Sequence, residues 1–285
     1  MSVRSRQSRA RMMVTHACLV MFTLLVLYPV FWVVAMAFTP QQGFSMSLLP
    51  IPTNPSLDNF REVMSTSSAD GTWLFGRQLF NSVVISVSTT IVGIFLACTA
   101  AYAFSRFKFP GRRTGLIMFL VSQMFPGTLM LIPLYVILDA LGLLSQVLGL
   151  ILVYSTTSIP FCVWMLKGYF DTIPRDLEES AIIDGASPFM TFWKIILPLA
   201  KPAIAVTALF SFMTAWNEFI LATTFMSTEA SYTLPVTLRN YVGEYSTYWG
   251  YFAAGAVLVS VPVMALFFVL QKNLVGGLTA GAVKG

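Results

Sequence analysis

Long apolar runs alternate with short polar stretches along the chain. The runs fall near residues 15–38, 79–105, 114–138, 143–167, 203–227 and 247–271. Each meets the about 20 residues that a helix needs to cross a bilayer. Hydrocarbon offers the backbone no water, so every N–H and C=O must be satisfied within its own segment. The pattern predicts an all-α polytopic membrane protein with six transmembrane helices in a single domain over residues 1–285. Pro126, Gly127 and Pro133 interrupt the third run, Pro160 the fourth and Pro262 the sixth. Proline removes a backbone donor and kinks a helix, so these spans are expected to bend. Only a few residues around Asp139 join the third run to the fourth, which predicts a tight hairpin.

Positive charge orders the connections. Of the 17 lysines and arginines, all but Arg61, Arg77 and Arg239 flank the two termini or lie in the second-to-third and fourth-to-fifth connections. Such residues concentrate on the cytoplasmic side. Both termini are therefore expected in the cytoplasm, with residues 171–202 as the largest cytoplasmic loop and 272–285 as a cytoplasmic tail. The basic start, the first run and Ala35-Met36-Ala37 resemble a signal peptide. The run is longer than the usual apolar stretch of about 7–15 residues, which predicts a retained first helix.

Composition narrows the function. The chain is 56% hydrophobic and 10% charged, against about 25% charged for soluble domains. The net charge of +5 reflects membrane sidedness and makes no basic stripe for nucleic acid. Cys18, Cys98 and Cys162 lie in apolar runs with no CxxC spacing, and His16 is the one histidine. No metal site, disulfide framework or catalytic set is expected. With no GxxxxGK[ST] motif, the chain is not expected to hydrolyse ATP. A secondary transporter would be expected to carry several intramembrane ionisable groups. Away from the run ends only Glu218 is charged, next to Trp216 and Asn217, and these three are candidates for a substrate path.

The loop at 171–202 has its own grammar. Asp171 and Thr172 are candidate N-caps, with Pro174 in the first turn. Asp176, Glu178 and Glu179 suit the positive end of a helix dipole. Leu177, Ala181 and Ile182 make an apolar face, and Gly185 offers a left-handed stop. Ser187 then caps a second helix with Pro188 at its first position. Phe189, Phe192, Trp193 and Ile196 give that helix its apolar face. Two short helices thus meet at a glycine elbow. Helices that lie on the anionic inner leaflet favour basic polar faces. This one is acidic, which points to a groove on a protein partner.

The stretch EESAIIDGASPFMTFWKIILP resembles the EAA motif of ABC importer permeases. Glu179-Ser180-Ala181, Gly185, Ile195 and Leu197-Pro198 fill the pattern, with Ser180 in place of the first alanine. DNFREVM, FNSVVIS, AYAFSRFKFPGR, AWNEFILA and the final GGLTAGAVKG are also similar to carbohydrate importer permeases. Together they resemble the smaller, six-span permease of the maltose/maltodextrin/trehalose importers, with a type I importer fold. The resemblance implies a permease subunit in a bacterial or archaeal plasma membrane that takes up a di- or oligosaccharide. An importer for another sugar or a polyol such as glycerol phosphate is the alternative. It implies a second permease as heterodimer partner, a dimer of ATPase subunits holding ATP and Mg, and an extracytoplasmic sugar-binding protein. No cofactor is expected on this subunit itself. Glu178, Glu179, Ala181, Ile182, Asp184, Gly185 and Ala186 would form the coupling helix in the ATPase cleft. Lys272, Thr279 and Lys284 would reach between the ATPase subunits. Tyr232, Arg239 and Tyr241 would meet the binding protein.

Overall fold

The computed structural model describes residues 9–44, 49–52, 54–243 and 246–282, with side chains described between 11 and 272. The helices, in order, are α1 (Arg9–Ala37), α2 (Asp58–Ser65), α3 (Leu74–Arg106), α4 (Arg112–Met124) and α5 (Leu131–Ala140). There follow α6 (Val147–Phe170), α7 (Asp176–Ile183), α8 (Pro188–Thr191), α9 (Leu197–Leu199) and α10 (Lys201–Asn217). The last are α11 (Ile220–Phe225), α12 (Leu234–Arg239) and α13 (Trp249–Ala282). Among the described residues four helices are long and apolar enough to cross a membrane, or up to six if each of two bent pairs is one span.

The predicted third span breaks. After α4 the backbone leaves the helical region at Phe125 and Pro126, and the chain turns by 95° into a 3₁₀ turn at Gly127–Met130 and then α5. Pro126 has no N–H to extend α4, and Gly127 follows it. Pro133 falls in the first turn of α5, where the missing donor is tolerated. The second bent pair is Pro188–Leu199 with α10, at 77°, and the predicted fifth span falls into α10 and α11, separated at Glu218 and Phe219. α13 continues as helix through Ala282, so residues 272–282 of the expected tail extend the last span.

Two compact units divide the chain. The first holds residues Met1–Thr66 and Leu238–Ser260. There α1 is exposed over residues 11–31, so its apolar surface is not covered by its own chain. Its C-terminal end is tied down by the buried Asn59 of α2. The Asn59 amide donates to the carbonyls of Ala37 (3.1 Å) and Thr39 (2.7 Å). It thereby satisfies acceptors that a helix end leaves open. Gln42 donates to Asn59 Oδ1 at 2.8 Å and accepts from Tyr251 N at 3.2 Å.

The second unit holds Ser67–Thr237 and Val261–Gly285. Its heart is the packing of α3 against α6 and α10. Gly93 lets these helices approach: a Cβ there would stand 3.2 Å from Ser158 Oγ and 3.5 Å from Ser211 Oγ. Close approach over small residues drives helix association where lipid supplies no hydrophobic force. One core cluster gathers Ala97, Ala101, Cys162, Val163 and Leu166 with Phe170, Phe192 and Ile196. The last two belong to the loop after α7, so the elbow is packed into the bundle. Cys98 and Cys162 are buried free thiols in this unit, as Cys18 is an exposed one in α1.

Candidate functional site

The elbow is built by local backbone chemistry. α7 ends at Ile183 with Asp184 as its C-cap, and Gly185 takes φ +87°. The Ala186 N–H bonds the Ala181 carbonyl (2.9 Å) and the Gly185 N–H bonds the Ile182 carbonyl (3.0 Å). This crossed pair is the Schellman closure, which needs a left-handed residue at its corner. Ser187 Oγ then accepts from the Met190 N–H at 3.2 Å and starts α8, with Pro188 at its first position. The chain next widens into a π-turn at Phe192–Ile196. A regular α-turn there would set the Lys194 carbonyl against the ring of Pro198.

The start of α7 corrects the sequence reading. α6 runs on to Phe170, and α7 begins at Asp176 with no side-chain cap. Asp171 is drawn away from capping. It accepts from Ser105 Oγ at 2.6 Å and pairs with Lys167. Burial pushes its carboxyl pKa up, but the bonds from Lys167 and Ser105 outweigh this and leave it below the ordinary value.

The two glutamates of the motif face opposite ways. Glu178 is buried, and its carboxylate pairs with Arg106 at the end of α3. Tyr102, one turn back on α3, donates its hydroxyl to Glu178 Oε2 at 2.9 Å. Arg106 Nη2 donates to the Ile173 carbonyl at 3.0 Å, so the guanidinium ties the loop at two points. The Tyr102 ring packs 4.7 Å from the ring of Phe192, centroid to centroid. One tyrosine thus holds the first arm by its hydroxyl and the second by its ring. A buried pair of this kind stabilises only while complete; losing one partner costs about 3–5 kcal/mol. Glu178 and Ala181, expected to meet a partner, are both turned into their own chain.

Glu179, Ile182, Asp184 and Gly185 are exposed, and Ala186 is half-buried. Ile183 is 85% exposed and Phe189 73%. Phe189 stacks on the exposed Trp193 at 6.3 Å. The second arm is split: Phe192 and Ile196 point into the bundle, Phe189 and Trp193 out of it. The elbow presents an apolar, acid-edged knuckle whose own chain does not cover it.

The remaining sequence candidates do not form one site. Trp216 is 1% exposed and packs on Phe212. Glu218 caps α11: its carboxylate accepts from the N–H groups of Leu221 (2.9 Å) and Ala222 (3.0 Å), and from Tyr154 Oη at 2.7 Å. Its charge is thus used by the backbone at the break. Asn217 beside it is exposed. Tyr232 is half-buried against the cluster of Ile85, Tyr154 and Phe225. Arg239 is exposed. Tyr241 is half-buried and lies 3.4 Å from Thr66 Oγ1 by its hydroxyl. Lys272 is exposed, while the Thr279 side chain and all of Lys284 lie outside the described residues. Sequence reasoning missed Arg106 and Tyr102. The signal was present in a lone arginine ending an uncharged span, on the same side as the acidic loop.

Residues 89–279 match the family described as binding-protein-dependent transport system inner membrane component. The galactooligosaccharides transport system permease protein GanQ of Bacillus subtilis is 40% identical, covering 96% of this chain and 96% of its own. The maltose/maltodextrin transport system permease protein MalG of Vibrio parahaemolyticus is 38% identical over 99% of both chains. Among solved structures, a bacterial ABC transporter involved in importing the acidic polysaccharide alginate matches with a TM-score of 0.76 at 23% identity. That match covers 95% of this chain and 99% of the other.

Proposed function

The chain belongs to the family of binding-protein-dependent transport system inner membrane components, and on that premise we propose that it is the permease subunit of an ATP-driven importer for a neutral di- or oligosaccharide. Maltose, maltodextrin, trehalose and galactooligosaccharides are the solutes to try, by the resemblance and the relatives. An extracytoplasmic binding protein would deliver the sugar. A dimer of ATPase subunits would hydrolyse ATP with Mg, and a second permease would complete the path. The positive charge on the elbow's side of the chain supports a cytoplasmic elbow.

The observation that carries this reading is the two-faced elbow. Its inner face is locked to α3 by Glu178, Arg106 and Tyr102. Its outer face offers Glu179, Ile182, Ile183 and Phe189 to a groove. A partner that moves the knuckle moves α3 with it. Coupling requires a two-state element biased from both ends, and a braced lever meets the mechanical half of that need. Glu179, with no side-chain partner among the described residues, is the charge left to pair with a basic residue of the ATPase.

Exchanging Glu179→Lys tests this. Sugar uptake and binding-protein-stimulated ATP hydrolysis in the reconstituted complex should fall by roughly tenfold or more, as for a charge pair lost from an interface. The permease's own thermal midpoint should stay in place. Normal uptake by the Glu179→Lys complex would refute the coupling role.

A further inference from the structure

The break between α4 and α5 encloses a feature that the elbow does not explain. A cavity of about 410 Å³ lies under it, lined among others by Ser122, Gln123, Phe125, Met130, Thr156 and Thr157. That size is within the roughly 300–1,000 Å³ of small-molecule sites. α4 rises about 20 Å from Arg112 before it breaks, within a hydrocarbon core of about 30 Å. Thr156 and Thr157 stand near the middle of α6. The cavity is therefore at membrane depth.

Its walls are largely apolar, through Phe125, Met130, Leu134 and Leu221, and carry a few uncharged polar groups. Gln123 donates Nε2 to the Thr157 carbonyl at 2.9 Å and keeps its amide oxygen as an acceptor. Pro160 has no N–H to offer the Thr156 carbonyl four residues earlier, so that acceptor is also freed. The last turn of α4 ends at Met124 and leaves further carbonyls open. Ser122, Gln123, Gly127, Thr156 and Thr157 are all exposed, as is Phe125 at 56%. Non-helical backbone and bare amides facing lipid would be costly. At this depth they are tolerated where they line a water-filled path. Transport sites built from broken helices near the midplane follow this rule.

We infer that this cavity is where the subunit touches its solute in transit. The solute is a neutral, polyhydroxylated molecule whose hydroxyls donate to the freed carbonyls and Gln123, with an apolar ring face against Phe125. Among the described residues the lining carries no charged side chain, which suits an uncharged solute. The inference rests on the importer reading above and adds to it the contacting residues. It moves the substrate path from Trp216 and Glu218, both used internally, to the α4–α5 break.

The test uses the reconstituted full complex with Cys18→Ser as parent, since Cys18 is the one exposed thiol among the described residues. Ser122→Cys and Thr157→Cys should react with a membrane-impermeant cationic methanethiosulfonate. The transported sugar should slow that reaction by about fivefold or more. Separately, Gln123→Ala should cut uptake about three- to tenfold, the range for one lost hydrogen bond, with normal complex yield. Thiols that stay unreactive, or that react equally with and without sugar, would overturn the inference while the parent still imports sugar. Normal uptake by Gln123→Ala would do the same. A parent complex that imports none of maltose, trehalose or galactooligosaccharide overturns the importer reading instead.

Discussion

The elbow at Gly185 and the break at Phe125–Pro126 both interrupt helices beside a proline and a glycine, but they treat polar groups in opposite ways. At the elbow Glu178 and Arg106 are inside and paired, while Ile183 and Phe189 face outward. At the break Ser122, Gln123, Thr156 and Thr157 are exposed, and the Gln123 amide oxygen is left to accept. A closed polar interior makes a stiff joint and leaves binding to apolar surface. An open wall with a few polar groups left to bond gives little rigidity and suits a wet passage. On the two proposals above, one region transmits force and the other lets the solute by.

Removing the elbow's inner pairing is the harshest way to erase that contrast. Glu178→Ala strands the Arg106 charge in a buried position and should destabilise the permease by about 3–5 kcal/mol. In practice the yield of assembled complex from detergent should collapse. The double variant Arg106→Met with Glu178→Leu removes both charges and should restore most of the yield. If Glu178→Ala assembles and melts like the parent, the brace is not what holds the elbow. A smaller effect is expected from Gly185→Val, which forces a β-branched residue into a left-handed backbone at about 1–3 kcal/mol. The corner would open while the brace stays, so uptake should fall further than thermal stability does. An unchanged transport rate would show that the corner's shape does not matter to docking.

The smallest effect concerns Asp171. Its folded pKa is depressed, so its contribution is full above the unfolded Asp value of about 3.9 and is lost as pH falls through the lower folded value. Between roughly pH 5 and pH 3 the parent's thermal midpoint should drop more than that of Asp171→Asn. Parallel melts in detergent at the two pH values decide it, and equal drops would remove Asp171 from the brace's periphery.

Much of this architecture is legible in the sequence, because membrane spans and helix stops are local. An apolar run declares its helix, Gly185 declares a left-handed corner, and Ser187-Pro188 declares a start. Long-range pairing is different. Glu178 and Glu179 are chemically identical neighbours, and only the position of Arg106, 72 residues earlier, decides which is buried. Nothing adjacent to Ala181 marks it as inward. The break at Glu218 was hidden because α10 and α11 read as one apolar run. A carboxylate just ahead of a helix start is nonetheless favoured by the helix dipole.

The brace and the knuckle have no residue in common. Glu178, Arg106 and Tyr102 fasten the elbow, while Glu179, Ile182, Ile183 and Phe189 form its outer surface. The address label is therefore separable from the package. Exchanging those four outer residues for another permease's set would redirect the subunit to a different motor and leave its internal joinery untouched.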